Sequence, residues 1–206
     1  MHVELLDTLR CTAPHASSWL VAASSRTEGR FIVEGVLGCP ECGAEYPIRG
    51  GAAWFGDRDE ARAITGGIVS EDEVTRLAAL LAFDERGGLY LLEGPLAVMG
   101  EPLADVSPAR FILLSPPEQC PGHAVIRGAG DRVPLADGVL RGAAISRPSA
   151  ALAAAAARAL TVKGRLVAPA ETPVPDGIEI IARDDRQWVG ERGAVATPPV
   201  ELTRRR

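Results

Sequence analysis

Two cysteines two residues apart, Cys39 and Cys42, stand in the tight run Cys39-Pro40-Glu41-Cys42-Gly43. Pro40 and Gly43 shape a turn that places both thiols on one knuckle. Cys11 and His15 supply a second pair, with three residues between them. Two such pairs are what a tetrahedral structural zinc site asks for, since that ion takes four soft or borderline ligands. The segment joining the two pairs reads as a hairpin. Ser18–Ser24 and Arg30–Leu37 are rich in bulky and β-branched residues, and Thr27-Glu28-Gly29 between them has turn chemistry. Two knuckles joined by a hairpin follow the logic of a zinc ribbon. Metal binding in such a unit contributes roughly 10 kcal/mol of folding free energy, which a small β-rich unit with little core needs.

Other readings of these residues stay open at this level. The CxxC pair could serve redox chemistry with Cys11 as a buried thiol, although a thioredoxin-like motif belongs at a strand-to-helix junction and this one lies between apparent strands. Water or another residue could stand in for His15, and His2 is a weaker substitute. A closed set of four protein ligands leaves no position for a reacting water, so the expected zinc is structural rather than catalytic. Glu41, inside the knuckle, reads as a solvated carboxylate. Cys120 and His123 form a second C-x-x-H without another ligand pair to complete it, so Cys120 reads as a lone thiol in a proline-rich loop.

The rest of the chain reads as alternating strands and connections. A short helix is expected at Val3–Leu9. Short strands are expected at Glu45–Ile48 and Ala52–Phe55, separated by Gly50-Gly51. Gly56–Gly67 is polar and places a domain boundary near residue 60. Ser70 with Glu73 three residues later makes a capping box for a helix over Glu71–Phe83, ended by Gly87-Gly88. Strands follow at Leu89–Leu92, Arg110–Leu114, Ala124–Ile126, Gly142–Ile145 and Gly164–Ala168. Ser149 caps a helix to about Leu160, and Gly177–Ala182 with Gln187–Val189 form a last hairpin. The expectation is an α/β fold: a small N-terminal zinc ribbon over residues 1–60, a trimmed Rossmann-like sheet over residues 61–195, and a flexible tail at 196–206.

Composition narrows the function classes. The net charge is -5, which lacks the basic field that nucleic-acid binding draws on. No apolar run approaches the roughly 20 residues that a bilayer-spanning helix needs, and the N-terminus carries Glu4 and Asp7 without an apolar signal core, so a cytoplasmic protein is expected. Aromatics are 4% of the residues, so the core must be built from Leu, Val, Ile and Ala. Trp19, Trp54 and Phe55 are the large residues of the N-terminal unit, as its small core or as a contact face.

Leu5-Leu6-Asp7, Leu9-Arg10-Cys11, Gly35–Leu37, Cys39–Gly43 and Tyr46–Gly51 together resemble the zinc-ribbon family of the tRNA methyltransferase activator subunit, over about residues 3 to 55. Thr12 stands where that pattern has proline, and His15 where it often has a second cysteine. The resemblance implies a binding module whose partner is another protein or the chain's own C-terminal domain. The C-terminal part resembles a class I S-adenosylmethionine (SAM) methyltransferase, through Gly130–Gly138 and Leu160–Val167. Under that likeness Glu93, Gly94 and Asp131 are the cofactor-binding residues, provided SAM binding is retained. The departures are the loop Glu93-Gly94-Pro95-Leu96-Ala97, where one glycine remains, and the second strand's end, Leu113-Leu114-Ser115-Pro116-Pro117, which lacks an acid. Arg141 and Arg147 fall where the fourth strand of such a fold presents acidic or polar groups. The sequence-based expectation is therefore a non-catalytic scaffold or stabilising subunit with a pseudo-methyltransferase domain. The alternative is an active SAM-dependent methyltransferase with an atypical cofactor loop.

Overall fold

The computed structural model describes residues 1–56, 69–117 and 124–194. The boundary expected near residue 60, the pair Cys120 and His123, and the tail at 196–206 lie outside the described residues.

The chain opens with a 3-10 turn at Val3–Thr8, where a short helix was expected over Val3–Leu9. Four strands then run as an antiparallel meander: β1 (Val21–Glu28), β2 (Phe31–Gly38), β3 (Glu45–Arg49) and β4 (Ala52–Trp54). After α1 (Glu71–Leu80) come β5 (Gly88–Glu93), a 3-10 turn (Gly94–Met99), α2 (Gly100–Asp105), β6 (Ala109–Leu114) and β7 (Val125–Arg127). The chain continues through β8 (Leu140–Ala144), α3 (Ala150–Ala159), β9 (Leu160–Pro169), β10 (Ile178–Arg183) and β11 (Gln187–Arg192).

All of these strands join one mixed sheet in the order β1-β2-β3-β4-β7-β6-β5-β8-β9-β11-β10. Five neighbours in its middle, β7, β6, β5, β8 and β9, are parallel. The last two strands are antiparallel to their neighbours. Numbered from β5, the C-terminal seven strands run 3-2-1-4-5-7-6, a doubly wound arrangement whose order reverses between β5 and β8. The meander joins this sheet through β4, which pairs in parallel with β7 at Ala52↔Val125, Ala53↔Ile126 and Trp54↔Arg127.

Strand β5 shows why both faces must be covered. Its alternate residues Leu89 and Leu91 enter one core cluster, while Tyr90 and Leu92 enter the other. A parallel sheet with helices on each side requires this. One cluster includes the N-terminal turn, Leu152, Ala153 and Ala156 of α3, and Trp188 of β11; the other includes Val74 and Leu77 of α1 with Leu103 of α2. α3 reads Ala-Ala-Leu-Ala-Ala-Ala-Ala-Ala-Arg-Ala. Alanine gives it high helix propensity and a thin face.

The capping box foreseen for α1 is present. The Glu73 N–H donates to the Ser70 hydroxyl at 3.3 Å, and Glu73 Oε2 accepts from the Ser70 N–H at 3.0 Å. Ser70→Ala is expected to cost about 1 kcal/mol in urea denaturation; an unchanged midpoint would show that the cap contributes nothing.

Candidate functional site

The cluster read from the sequence assembles. Sγ of Cys11, Cys39 and Cys42 and an imidazole nitrogen of His15 all lie within 4.8 Å of one another. The backbone around Cys39 makes the knuckle: the Gly43 N–H donates to the Cys39 carbonyl at 2.9 Å, and the Cys39 N–H donates to the Ala44 carbonyl at 2.9 Å. Gly43 sits at φ 70°, a left-handed conformation that glycine adopts without a Cβ penalty. Cys11 is held from the other side, its N–H donating to the Ser18 carbonyl at 3.0 Å, while Arg10 and Trp19 form a bridge pair.

The spacings suit a tetrahedral ion. At metal–ligand lengths of about 2.3 Å to sulfur and about 2.0–2.1 Å to nitrogen, a tetrahedron has S···S edges of about 3.8 Å and S···N edges of about 3.5 Å. Cys11 Sγ and Cys42 Sγ are 3.8 Å apart, and His15 Nε2 is 3.2 Å from Cys11 Sγ and 3.5 Å from Cys39 Sγ. His15 Nδ1 lies 2.6 Å from the Ala16 carbonyl. A carbonyl only accepts, so Nδ1 carries the proton of the neutral ring and Nε2 turns its lone pair into the cluster, a usual arrangement for ligating histidine. The Ala16 carbonyl, and after it the Cys11 sulfur, hold the imidazole above its ordinary pKa. At Cys39, burial pushes the thiol up, but the Cys42 and Glu41 N–H groups and the neighbouring thiols outweigh it and bring it down to about 6. His2 is elsewhere: its ring accepts from the Glu4 N–H and meets Phe31 edge-on. Glu41 is exposed.

Tyr46 entered the sequence reading only within the Tyr46–Gly51 stretch and not as a site residue, yet it supports the cluster. Its hydroxyl is 3.1 Å from Cys11 Sγ and accepts from the Thr12 N–H at 3.2 Å. Its ring packs on Phe55 with centroids 4.6 Å apart. Burial, and then the adjacent Cys11 sulfur, hold the phenol above its usual range, so it remains a donor toward sulfur. The signal lay in its place on the strand that leaves the knuckle. Tyr46→Phe is expected to weaken metal binding about tenfold, the scale of an outer-sphere contact, read by competition with a chromogenic chelator; equal affinity would remove Tyr46 from the site.

A second site lies at the carboxyl ends of β5 and β8, the switch point where open α/β sheets bind ligands. Glu93 closes β5 and is 1% exposed, one of two buried polar residues among those described. Oε2 accepts from the Ser146 N–H at 2.9 Å and the Ser146 hydroxyl at 2.8 Å, and Oε1 accepts from Arg147 Nε at 2.6 Å. Gly94 follows at φ 61°, and a Cβ there would meet Ser146 Oγ at 2.8 Å. The missing Cβ leaves room for the Ser146 hydroxyl against the strand end. Pro95, in the first turn of the 3-10 segment, has no N–H to offer. Asp131, in the connection after β7, accepts from Arg147 Nη1 at 3.0 Å and from the Ser149 hydroxyl at 2.9 Å. The structure thus brings Glu93, Gly94 and Asp131 to one network, and the sequence had missed that Arg147 and Ser146 complete it. Ser115, at the end of β6, has φ 47°, an uncommon conformation for a non-glycine residue, on the same rim of the sheet. Arg141 belongs to the opposite end of β8. It pairs through both terminal nitrogens with Asp84 at 2.8 Å, which holds that carboxyl below the usual range.

No helix among the described residues is long and apolar enough to cross a membrane. No family model matches the chain, and no curated protein matches it with significance. Solved structures to which the chain is similar include the antibiotic-resistance methyltransferase Kmr, 14% identical over 59% of this chain and 93% of that one, with a TM-score of 0.41. Another is the 16S rRNA N2 G1207 methyltransferase RsmC of T. thermophilus in complex with AdoMet and guanosine. It is 18% identical over 81% of this chain with a TM-score of 0.34, and the match spans about half of it, 47%. Both are described as methyltransferases. The expectation of a non-catalytic scaffold subunit is set aside, and its alternative, a SAM-dependent methyltransferase, is taken up below as a proposal. That expectation rested on an eroded loop after β5; the fold retains a buried carboxylate and a left-handed glycine there, at the switch point of the sheet.

Proposed function

We propose that this chain is a SAM-dependent methyltransferase with an atypical cofactor loop, stabilised by a structural zinc ion on Cys11, His15, Cys39 and Cys42. The observation that carries the reading is the buried carboxylate of Glu93 beside Gly94 at the carboxyl end of β5. Open α/β sheets bind nucleotide-like ligands in that crevice. An ionisable group is rarely buried there without a role. In this reading Glu93 and Gly94 are the cofactor-binding residues at the strand end, with Asp131 joined to them through Arg147. When bound, SAM supplies a methyl group on a sulfonium centre, and the chain's part is to orient that cation and keep water from it. The four-ligand set supports a structural role for zinc, because it leaves no open coordination position.

The test is isothermal titration of the zinc-loaded protein with SAM and with S-adenosylhomocysteine. Saturable binding with one site per chain is expected, and Gly94→Trp is expected to abolish it, since a side chain at that position meets Ser146. No heat and no thermal shift at about millimolar ligand, a binding energy weaker than about 4 kcal/mol, would overturn the reading.

A further inference from the structure

The helix α3 is built almost wholly of alanine, and short side chains leave space beside it. Ala150, Ala154 and Ala157 stand at i, i+4 and i+7, on one face of the helix. Across from them runs the connection from β9 to β10, with Val174 and Pro175. Between the two lies a cavity of about 490 Å³, open to solvent. That volume falls within the range of small-molecule sites, roughly 300–1,000 Å³. Three charged residues line it as well, Arg158, Asp176 and Arg192. Arg158 is committed within the fold, through Nη1 to Asp137 and through Nη2 to the Val133 carbonyl at 2.9 Å. Arg192 differs. Its Nη1 donates to the Arg158 carbonyl at 2.7 Å and to the Leu160 carbonyl, at the end of α3, where a cation is favoured. Those bonds fix the guanidinium while leaving its other donors free. Among the described residues no carboxylate pairs with Arg192, and its Nε and Nη2 have no acceptor. A guanidinium keeps its charge at any ordinary pH, so this half-buried one lacks a counter-ion.

We propose that this cavity binds a small organic monoanion, a carboxylate or sulfonate carried on an apolar body. Nε and Nη2 of Arg192 form one edge of the guanidinium plane, which matches two oxygens of an acid group. The apolar body lies between the alanine face of α3 and the Val174–Pro175 wall. Asp176 in the same lining works against a ligand with several negative charges, so phosphate and nucleotides fit poorly. The cavity shares no lining residue with the Glu93 network, and the proposal stands independently of the SAM reading.

The experiment titrates the full chain with 8-anilinonaphthalene-1-sulfonate, a fluorescent monoanion of this chemistry. Saturable binding at one site per chain is expected, with a dissociation constant below about 1 mM. Naphthalene-1-acetate should displace the probe and inorganic phosphate should not. Arg192→Met keeps the apolar stem and removes the charge, and should weaken binding about tenfold, the scale of one charge-assisted hydrogen bond. Ala154→Trp fills the cavity from an exposed position of α3 and should abolish binding. Absence of saturable binding, displacement by phosphate, or unchanged affinity in either variant overturns the proposal. Should Arg192→Met lose its hold on the end of α3 and fold poorly, Ala154→Trp decides the matter by itself.

Discussion

Chelating the metal is expected to unfold the N-terminal meander while leaving the parallel strands folded. The cost in stability is on the order of 10 kcal/mol, the apparent contribution of a structural zinc site near neutral pH. The reason lies in how little else organises this part of the chain. Strand β1 is an edge strand with seven of its eight residues exposed and the eighth half-buried. The buried side chains of the meander are few, mainly Ile32, Leu37, Tyr46, Ile48 and Ala53. Without a cation, three thiols and an imidazole within 4.8 Å are poorly compatible once the thiols ionise, since like charges at that range repel. With it, they become a cross-link between the segment around Cys11 and the Cys39–Cys42 knuckle. Metal content by mass spectrometry should be one zinc per chain. After chelation, amide exchange across β1 to β3 should rise to that of unfolded chain, while β5, β6 and β8 stay protected. Cys39→Ser should mimic chelation. Unchanged exchange in the stripped protein would show that the meander holds without metal.

Trp188→Ala is expected to cost about 3–5 kcal/mol, the range for removing a large buried aromatic. Trp188 is fully buried, and its Nε1 donates to the Thr172 carbonyl at 2.9 Å. It stands near the start of β11, opposite Ala168 in β9 and Arg183 in β10, in the reversed strand that joins the hairpin to the parallel sheet. Its cluster contains Ala153, Ala156, Ala157, Ala159 and Ala168. Alanine side chains have no rotamers with which to fill a void, so the cavity stays open and its full cost is felt. Urea denaturation measures this directly; a loss below about 1 kcal/mol would mean that the site collapses and that the surrounding core is looser than its burial indicates.

The exposed Trp19, 69% accessible, shows how unevenly the sequence reveals a core. Trp19, Trp54 and Phe55 were grouped by size, but Phe55 is buried against Tyr46, Trp54 is partly buried beneath the Arg127 guanidinium, and Trp19 stays at the surface under Arg10. Side-chain size says how much apolar area a residue offers, not which neighbours cover it. The 3-10 turn at Val3–Thr8 has a similar origin. Helical spacing of Val3, Leu5, Leu6 and Leu9 was legible, but the tighter closure was not: the Leu5 and Leu9 N–H groups donate three residues back, to the His2 and Leu6 carbonyls, between the His2 bridge and the Arg10 contact to Pro134.

What the sequence by itself determined is what short-range chemistry settles. The C-x-x-C turn, the pairing of Cys11 with His15, the Ser70–Glu73 box, the Ser149 cap and most strand positions follow from contacts within a few residues, or from the period of the apolar pattern. Tertiary structure alone decided the rest. The parallel pairing of β4 with β7, which makes one sheet of the meander and the doubly wound strands, depends on backbone groups more than seventy residues apart and leaves no local mark. The same holds for Tyr46 behind Cys11 and for Arg147 spanning Glu93 and Asp131. Glu93 could be read as a candidate from its place at a strand's end, but its burial and its partners come from β8 and the connection after β7. A carboxylate's environment is the sum of chain segments that only the folded sheet brings together, and it is that environment, rather than the residue, that carries the function.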